Sequence, residues 1–452
     1  MKIAIIGTGY VGLTTGVALA YVGHHVTAVD TDRAKIALLQ DGKSPIHEVG
    51  IEALLTQAAS RLAFSEALAE VIPLAEVVFI AVGTPSKATG EADLSYVEGV
   101  AREIASALVH GQTCTVVIKS TVPIGTNRRV IHLVERTLAA RGVSATVYFA
   151  SNPEFLREGV AVQDTLYPDR IVVGAEQQEA FAVLSRVYRP LVEQTFVPPS
   201  FLPRPEGYRL PNLVTMDLVS AEMTKYAANS FLALKISFIN EIAGLCERVG
   251  ADVTEVARGM GLDHRIGHRF LDAGIGWGGS CFPKDTAALL AVANEYGYTM
   301  PIIQAARAVN ERQRQAVVDK LQSELKVLRG RSIAVLGLSF KPGTDDVRDS
   351  PAVDIVRILI ERGAHVRVHD PIALSNAKDV LRDLDIDFSS TPYEAVRGAD
   401  AVVLATAWDE YQLLDLARLA QTMRVPLLID GRNQITPDLA LEAGLRYVGI
   451  GR

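Results

Sequence analysis

The sequence predicts an α/β fold of two doubly wound parallel-sheet domains joined by a long central helix, and three observations carry that expectation. Short β-rich runs alternate with helical ones over residues 1–195, a long helical block follows, and a second strand-led alternation opens near Arg331. Such alternation builds a parallel sheet, because each parallel connection must cross back over a face and does so as a helix. At 452 residues the chain also exceeds what one core can bury. The expected division is 1–200, 201–328 and 329–452.

The first element is the most specific. Lys2 to Ile6 is a continuous apolar run suited to a strand buried on both faces, and Gly7-Thr8-Gly9-Tyr10-Val11-Gly12 follows before a helical stretch. Gly7 and Gly9 permit a tight turn and close approach of backbone to a pyrophosphate, and Gly12 lets helix and strand pack closely. Asp30 closes the second strand, at the spacing where an acid accepts hydrogen bonds from an adenosine ribose. A 2′-phosphate would be repelled there. The domain therefore reads as Rossmann-like, with NAD as its cofactor.

Later strands are expected at Val77–Val82, Thr115–Ile118 and Arg170–Gly174. The first two run into loops bearing Thr84 and Thr121, hydroxyl residues at strand carboxyl ends, where ligands bind in open α/β sheets. A proline-rich stretch, Val197 to Pro205, reads as a surface excursion or linker. The central helix is expected from Ser220, as N-cap, to about Gly250, and a helix of this kind often buries a face against a twin. From Ser332 a second Rossmann-like unit begins, with a helix at Ala352–Arg362 and strands at His365–Asp370, Ala401–Ala405 and Pro426–Asp430. Its first loop lacks the second and third glycines and carries Lys341, so it should hold something other than a dinucleotide.

Composition narrows the function. A formal charge of −7 argues against general affinity for nucleic acid or anionic membrane. Three cysteines, Cys114, Cys246 and Cys281, lie far apart and in no metal spacing, which fits a reducing cytoplasm and no metal site. The chain enters its first strand at once, leaving no room for a signal peptide.

Three clusters could do chemistry. Cys281 sits between Gly276-Trp277-Gly278-Gly279-Ser280 and Phe282-Pro283-Lys284-Asp285, before an apparent helix start; a helix N-terminus and a nearby lysine both favour thiolate, although an isolated cysteine is often a buried small hydrophobe. Asp285 would lie one turn beyond it. Lys225 and Asn229 are four apart on one helical face and together could stabilise an oxyanion, or simply form a solvated face. Glu154 and Glu158, four apart at a strand-to-helix junction, could serve as an acid/base pair, bind hydroxyls, or favour a helix dipole.

Taken together, GTGYVG at Gly7, VGTP at Val82, KSTVP at Lys119, NPEFLREG at Asn152, AEMTKYAANSF at Ala221, RIG at Arg265, GGSCFPKD at Gly278 and SFKPGTDDVRDSP at Ser339 resemble the UDP-glucose 6-dehydrogenase family of NAD-dependent nucleotide-sugar dehydrogenases. The resemblance spans nearly the whole chain. It implies oxidation of a sugar C6 alcohol to a carboxylate with two NAD, the aldehyde stage being held on a cysteine. Under it, Cys281 forms the thiohemiacetal and thioester, Lys225 stabilises the oxyanion and assists proton transfer, Asn229 and Asp285 position water or the oxyanion, Glu154 is the acid/base partner and Thr121 holds the water. Gly7, Gly9, Tyr10, Val11, Gly12, Asp30, Lys35, Thr84, Thr121, Glu158, Lys284 and Arg348 match positions that contact NAD. Glu154, Phe155, Leu156, Lys225, Asn229, Arg265, Phe270, Gly276, Gly278, Phe340, Lys341 and Arg432 match positions around a UDP-sugar, with Arg265 reaching a neighbouring subunit's site in a homodimer or higher oligomer.

Two features depart from the family pattern: the long proline-rich passage, and Trp277 where a smaller aromatic is expected beside the sugar loop. The same reaction on GDP-mannose, a two-electron hydroxyacid dehydrogenase and a non-catalytic nucleotide-sugar sensor are the competing readings. The two-electron chemistry would not need Cys281, and the sensor would need none of Lys225, Cys281 and Asp285.

Overall fold

A computed structural model describes residues Met1–Arg452. The chain divides into two compact units, Met1–Ala227 and Ala228–Arg452. The first unit thus extends past the proline run and into the central helix.

The first unit holds one eight-stranded sheet. Its strands are β1 (Lys2–Ile6), β2 (His25–Val29), β3 (Leu62–Ser65), β4 (Val77–Ile80), β5 (Thr113–Ile118), β6 (Thr146–Ser151), β7 (Arg170–Ala175) and β8 (Asn212–Met216), in the order β3-β2-β1-β4-β5-β6-β7-β8. Neighbours β1 and β4 leave in opposite directions across the sheet, so the crevice at their carboxyl ends is the switch point where ligands bind. The apolar runs are continuous because both faces are covered: Ile3 and Ile5 enter one core, Ala4 and Ile6 the other. Val77 and Phe79 against Val78 and Ile80 divide the same way.

One pair of strands in this otherwise parallel sheet runs the other way. β6 and β7 pair antiparallel, through Ala150 with Ala175 and Ser151 with Gly174. The connection between them carries only the six-residue helix Ala161–Leu166, too short to cross the sheet, so the chain turns back at the end it left. The segment from Asn152 to Asp169 is thereby kept at the carboxyl end of β6.

The proline-rich passage is a packed strap. Tyr21 and Tyr167 hydroxyls donate to the carbonyls of Val197 (2.7 Å) and Leu202 (2.9 Å), Tyr208 donates to Pro168 (2.9 Å), and Phe196 lies 6.2 and 6.0 Å from the rings of Tyr21 and Tyr167. It delivers β8, which pairs parallel with β7.

The central helix runs Leu218–Val249. Its cap is Asp217 rather than Ser220: the Asp217 carboxylate accepts from the Ser220 amide (2.9 Å) and hydroxyl (2.6 Å), and the Asp217 carbonyl already accepts the Ala221 amide. Glu222, buried on this helix, accepts from the amides of Gly125 (2.6 Å) and Asn127 (2.8 Å), where the helix Thr126–Arg141 begins. Burial outweighs those hydrogen bonds and raises the Glu222 pKa.

The second unit contains a six-stranded, all-parallel sheet of β9 (Ser332–Leu336), β10 (His365–His369), β11 (Ile386–Phe388), β12 (Ala401–Leu404), β13 (Leu427–Asp430) and β14 (Arg446–Val448), ordered β11-β10-β9-β12-β13-β14. It repeats the first sheet's plan in detail. The Gly337 amide donates to His369 O as the Gly7 amide does to Val29 O, and Ser332 N donates to Asp400 as Lys2 N does to Glu76.

Candidate active site

In the first unit the turn after β1 is shaped to receive a dinucleotide. Gly7 has φ +102°, and a Cβ there would lie 2.6 Å from the Ala81 carbonyl; one at Gly12 would lie 1.9 Å from Gly7 O. Around Gly9 there is open space, and as N-cap of the helix Tyr10–Tyr21 it offers no side chain to the first-turn N–H groups. Those groups and the helix dipole face the side from which a pyrophosphate would approach. Val11 lies in this first turn, and the Tyr10 hydroxyl donates to His47 O (3.3 Å).

Asp30 is half-buried at the tip of β2. Burial would raise its carboxyl, but hydrogen bonds from the Asp32 amide and from the Thr8 hydroxyl (2.7 Å) and amide (2.8 Å) outweigh it and hold the pKa below the ordinary value. The acid is ionised at neutral pH. Lys35 lies nearby on the next helix, its ammonium 3.8 Å from Asp32.

The loops after β4 and β5 are brought together, with the Thr84 hydroxyl donating to Thr121 O (2.8 Å). Beyond β6, Glu154 and Lys225 form an ion pair of 2.6 Å, with side-chain exposures of only 6% and 4%. The second Glu154 oxygen accepts from the Leu156 amide (2.7 Å). Phe155 lies under the Arg170 guanidinium at 3.8 Å and 5.5 Å from Lys225 Nζ. Glu154 and Glu158 do not head a helix: the next one starts at Ala161, and Glu48, from more than a hundred residues earlier, accepts from the amides of Gly159 (2.7 Å) and Val162 (3.4 Å). The dipole reading of that acid pair is thus withdrawn. Glu158 is buried.

In the second unit Cys281 is the N-cap of the helix Phe282–Glu295 and only half-buried, with Ser280 Oγ 3.5 Å from Sγ. Cys114 and Cys246 are buried, and burial pushes the Cys114 thiol up to about 12. One turn on, Asp285 is fully buried, accepting from Asn229 Nδ2 (2.6 Å) and paired with Lys284. The glycines before Cys281 allow backbones to touch: a Cβ on Gly278 would lie 2.1 Å from Asp349 O, and one on Gly279 2.7 Å from the Phe340 ring. The Gly279 amide donates to Arg348 O (3.0 Å), and Lys341 Nζ lies 5.8 Å from the Phe340 ring. Arg432 donates to Ala405 O (2.7 Å) and Gly276 O (3.2 Å); burial lowers its pKa to about 10, against Asp430 and Asp272.

Phe270, at φ +66°, lies 6.3 Å from Phe282. Arg265 stands apart on the surface, its guanidinium on Asp263. Trp277 is an interior residue, its indole N–H on Ser237 Oγ (2.9 Å) and its amide on Asn310 Oδ1 (2.7 Å), so it braces the loop.

The second sheet cannot use its own acid as the first does. Asp370 occupies Asp30's place but is 1% exposed and saturated, one oxygen accepting from Leu338, Ser339 and the Trp408 indole (3.2 Å), the other from the amides of Ile372 and Ala373. No acceptor is left for a ribose. The residues that sequence reasoning left unassigned are Lys119, Asn152 and Tyr188, which form a buried cluster next to Glu154, and Glu222 and Glu48. Lys119, Asn152 and Glu222 stand inside the KSTVP, NPEFLREG and AEMTKYAANSF motifs; Tyr188 and Glu48 carry no local signal.

An acid-tipped glycine turn on one sheet, with a second sheet of the same order beyond the central helix, defines an NAD-dependent oxidoreductase. Residues 1–192 match the NAD binding domain, 219–312 the central domain and 334–437 the UDP binding domain of the UDP-glucose/GDP-mannose dehydrogenase family. The chain belongs to that family. It is 46% identical to a UDP-glucose 6-dehydrogenase of Bacillus subtilis, covering 100% of this chain and 98% of the relative, and 47% identical to one of Rhizobium meliloti, covering 100% of both. A solved UDP-glucose dehydrogenase from Pyrobaculum islandicum superposes with a TM-score of 0.87 at 40% identity, over 100% of this chain and 97% of that one. No helix is long and apolar enough to cross a membrane.

Proposed function

We propose that this chain oxidises C6 of UDP-glucose to the carboxylate of UDP-glucuronate through a thioester on Cys281. The observation that carries the reading is that, of three thiols, Cys281 alone is accessible, at a helix start whose next turn presents Asp285 bonded to Asn229. The names of the full-length relatives favour UDP-glucose over GDP-mannose.

The glycine turn after β1 and Asp30 would hold NAD, which when bound would supply the hydride acceptor for both oxidations of C6. Lys225 takes the proton leaving the C6 hydroxyl and then stabilises the oxygen's negative charge, with Glu154 holding its ammonium in place. Cys281 Sγ bonds to the aldehyde carbon, giving a thiohemiacetal, which is a better hydride donor than a free aldehyde and becomes a thioester on oxidation. Thr121, Asn229 and Asp285 orient the water that breaks the C–S bond, Glu154 assisting its deprotonation, and the thiol is restored. Thr84, Lys35, Glu158, Lys284 and Arg348 serve the cofactor; Phe155, Leu156, Arg265, Phe270, Gly276, Gly278, Phe340, Lys341 and Arg432 serve the sugar nucleotide. The test is to supply NAD with a panel of UDP- and GDP-sugars and count NADH per sugar consumed. Two per UDP-glucose is expected; one would overturn the reading.

Asp30 supplies a second expectation. In Asp30→Asn the charge that repels a 2′-phosphate is gone, so the preference for NAD over NADP in kcat/KM should fall by about 10-fold or more, the worth of one charged hydrogen bond. An unchanged preference would show that another group reads the ribose.

The central segment, 201–328, is proposed to pair with a second copy. Phe231, Phe238, Leu245 and Val249 form one stripe on the central helix and are 60%, 44%, 56% and 67% exposed. A self-complementary apolar stripe suits a two-fold contact. Phe231→Glu with Phe238→Glu should convert the dimer to monomer in analytical ultracentrifugation; an unaltered sedimentation coefficient would place the contact elsewhere.

A further inference from the structure

We propose that Lys119 is a positioning residue for the acid–base step: a second buried ammonium, held by Asn152 and Tyr188, whose field acts on the Lys225–Glu154 pair. This rests on the reading of Lys225 and Glu154 given above.

The cluster is assembled from four elements of the first unit. Lys119 follows β5, Asn152 and Glu154 follow β6, Tyr188 lies on the helix Gln178–Val192, and Lys225 on the central helix. Lys119 is 8% exposed and its ammonium donates to Asn152 Oδ1 at 3.0 Å. The Tyr188 hydroxyl donates to the same oxygen, and the Tyr188 ring lies 5.9 Å from Lys119 Nζ. Asn152 cannot turn away, because its amide group donates to Val172 O (2.7 Å) and its backbone N–H to Ile118 O (2.9 Å).

The chemistry of that acceptor is the point. A buried lysine is ordinarily paired with a carboxylate, which cancels its field; here the acceptor is a neutral amide oxygen, so the charge is fixed in place without being neutralised. Its charged neighbours are Glu154, which it attracts, and Lys225, which it repels. Tyr188 faces it as a neutral phenol, since burial pushes its ionisation well up. Burial is also the main cause that lowers the Lys119 pKa to about 8, with Glu154 opposing and Lys225 adding to the effect. Two ammonium groups thus compete for one carboxylate. While Lys119 is charged, Lys225 gives up its proton more readily, which suits a group that must accept one from an alcohol.

The sign follows. Removing the Lys119 charge lets Lys225 hold its proton to higher pH, so the limb of the kcat profile that reports Lys225 moves upward. Lys119→Met or Lys119→Gln should displace the profile by about one pH unit, the low end for a neighbouring charge, while Lys119→Arg leaves it in place. A structural role would lower kcat and Tm in all three without moving the profile, and that result overturns the proposal. A titration of ¹³Cε-labelled lysines in the unaltered protein reads the same property without turnover or substitution. One lysine should titrate near pH 8; a spectrum in which every lysine titrates above about 9.5, close to the ordinary value, overturns the proposal even if the enzyme makes two NADH per sugar. Failure of the two-NADH count with the low lysine present would instead fall on the reading of the reaction.

Discussion

Cys281→Ser should lose formation of the second NADH, with overall turnover down by at least about 10³-fold. At neutral pH a thiol at a helix start supplies thiolate, whereas a serine hydroxyl needs a base to remove its proton. The nearest carboxylate along the helix, Asp285, is engaged by Asn229 and Lys284. Serine is close in size and the site is half-buried, so Tm should change by no more than a few degrees. An alkylating agent applied to the native protein should label Cys281 rapidly and spare Cys114 and Cys246, which are buried. Full turnover in the serine variant would favour the two-electron reading.

The second large effect is expected at Lys225. Lys225→Met leaves the Glu154 carboxylate buried without its 2.6 Å partner, and breaking such a pair by removing one member costs about 3–5 kcal/mol. A fall in Tm should therefore accompany a fall in kcat of about 10²–10⁴-fold, the range for loss of a positioned proton-transfer group. Glu154→Gln separates the two contributions. It keeps a hydrogen-bond acceptor for the ammonium and is neutral, so its Tm should lie between that of Lys225→Met and the unaltered protein, while the thioester, no longer helped toward hydrolysis, accumulates. A Lys225→Met enzyme with undiminished kcat would remove the lysine from the chemistry.

Much of this was legible in the sequence, for physical reasons that are local. The turn at Gly7 needs a positive φ and tolerates no side chain, and Asp30 sits at a fixed spacing from it, so one short string specifies strand, turn, helix and acid together. Cys281 was legible as a helix start because Pro283 fits the second helical position. What was not legible depends on partners distant in the chain. The direction of β7 is set by how little helix lies between Asn152 and Asp169, and β8, largely exposed, lacks the apolar run that marks a strand. Glu48 and Glu222 each serve a helix start far away in sequence. Asp370 follows β10 as Asp30 follows β2, and only the fold shows that the amides of Leu338, Ser339, Ile372 and Ala373 and the Trp408 indole already satisfy it. The proline run reads as a linker because the tyrosines that fasten it, Tyr21 and Tyr167, come long before it.

The covalent step is tested most directly by quenching the Glu154→Gln enzyme in acid during turnover with NAD and UDP-glucose, digesting it, and weighing the peptide that contains Cys281. The account predicts a UDP-glucuronyl thioester on that peptide, released by hydroxylamine and absent when NAD is withheld. An unmodified Cys281 peptide in an enzyme that is still making two NADH per sugar would contradict it.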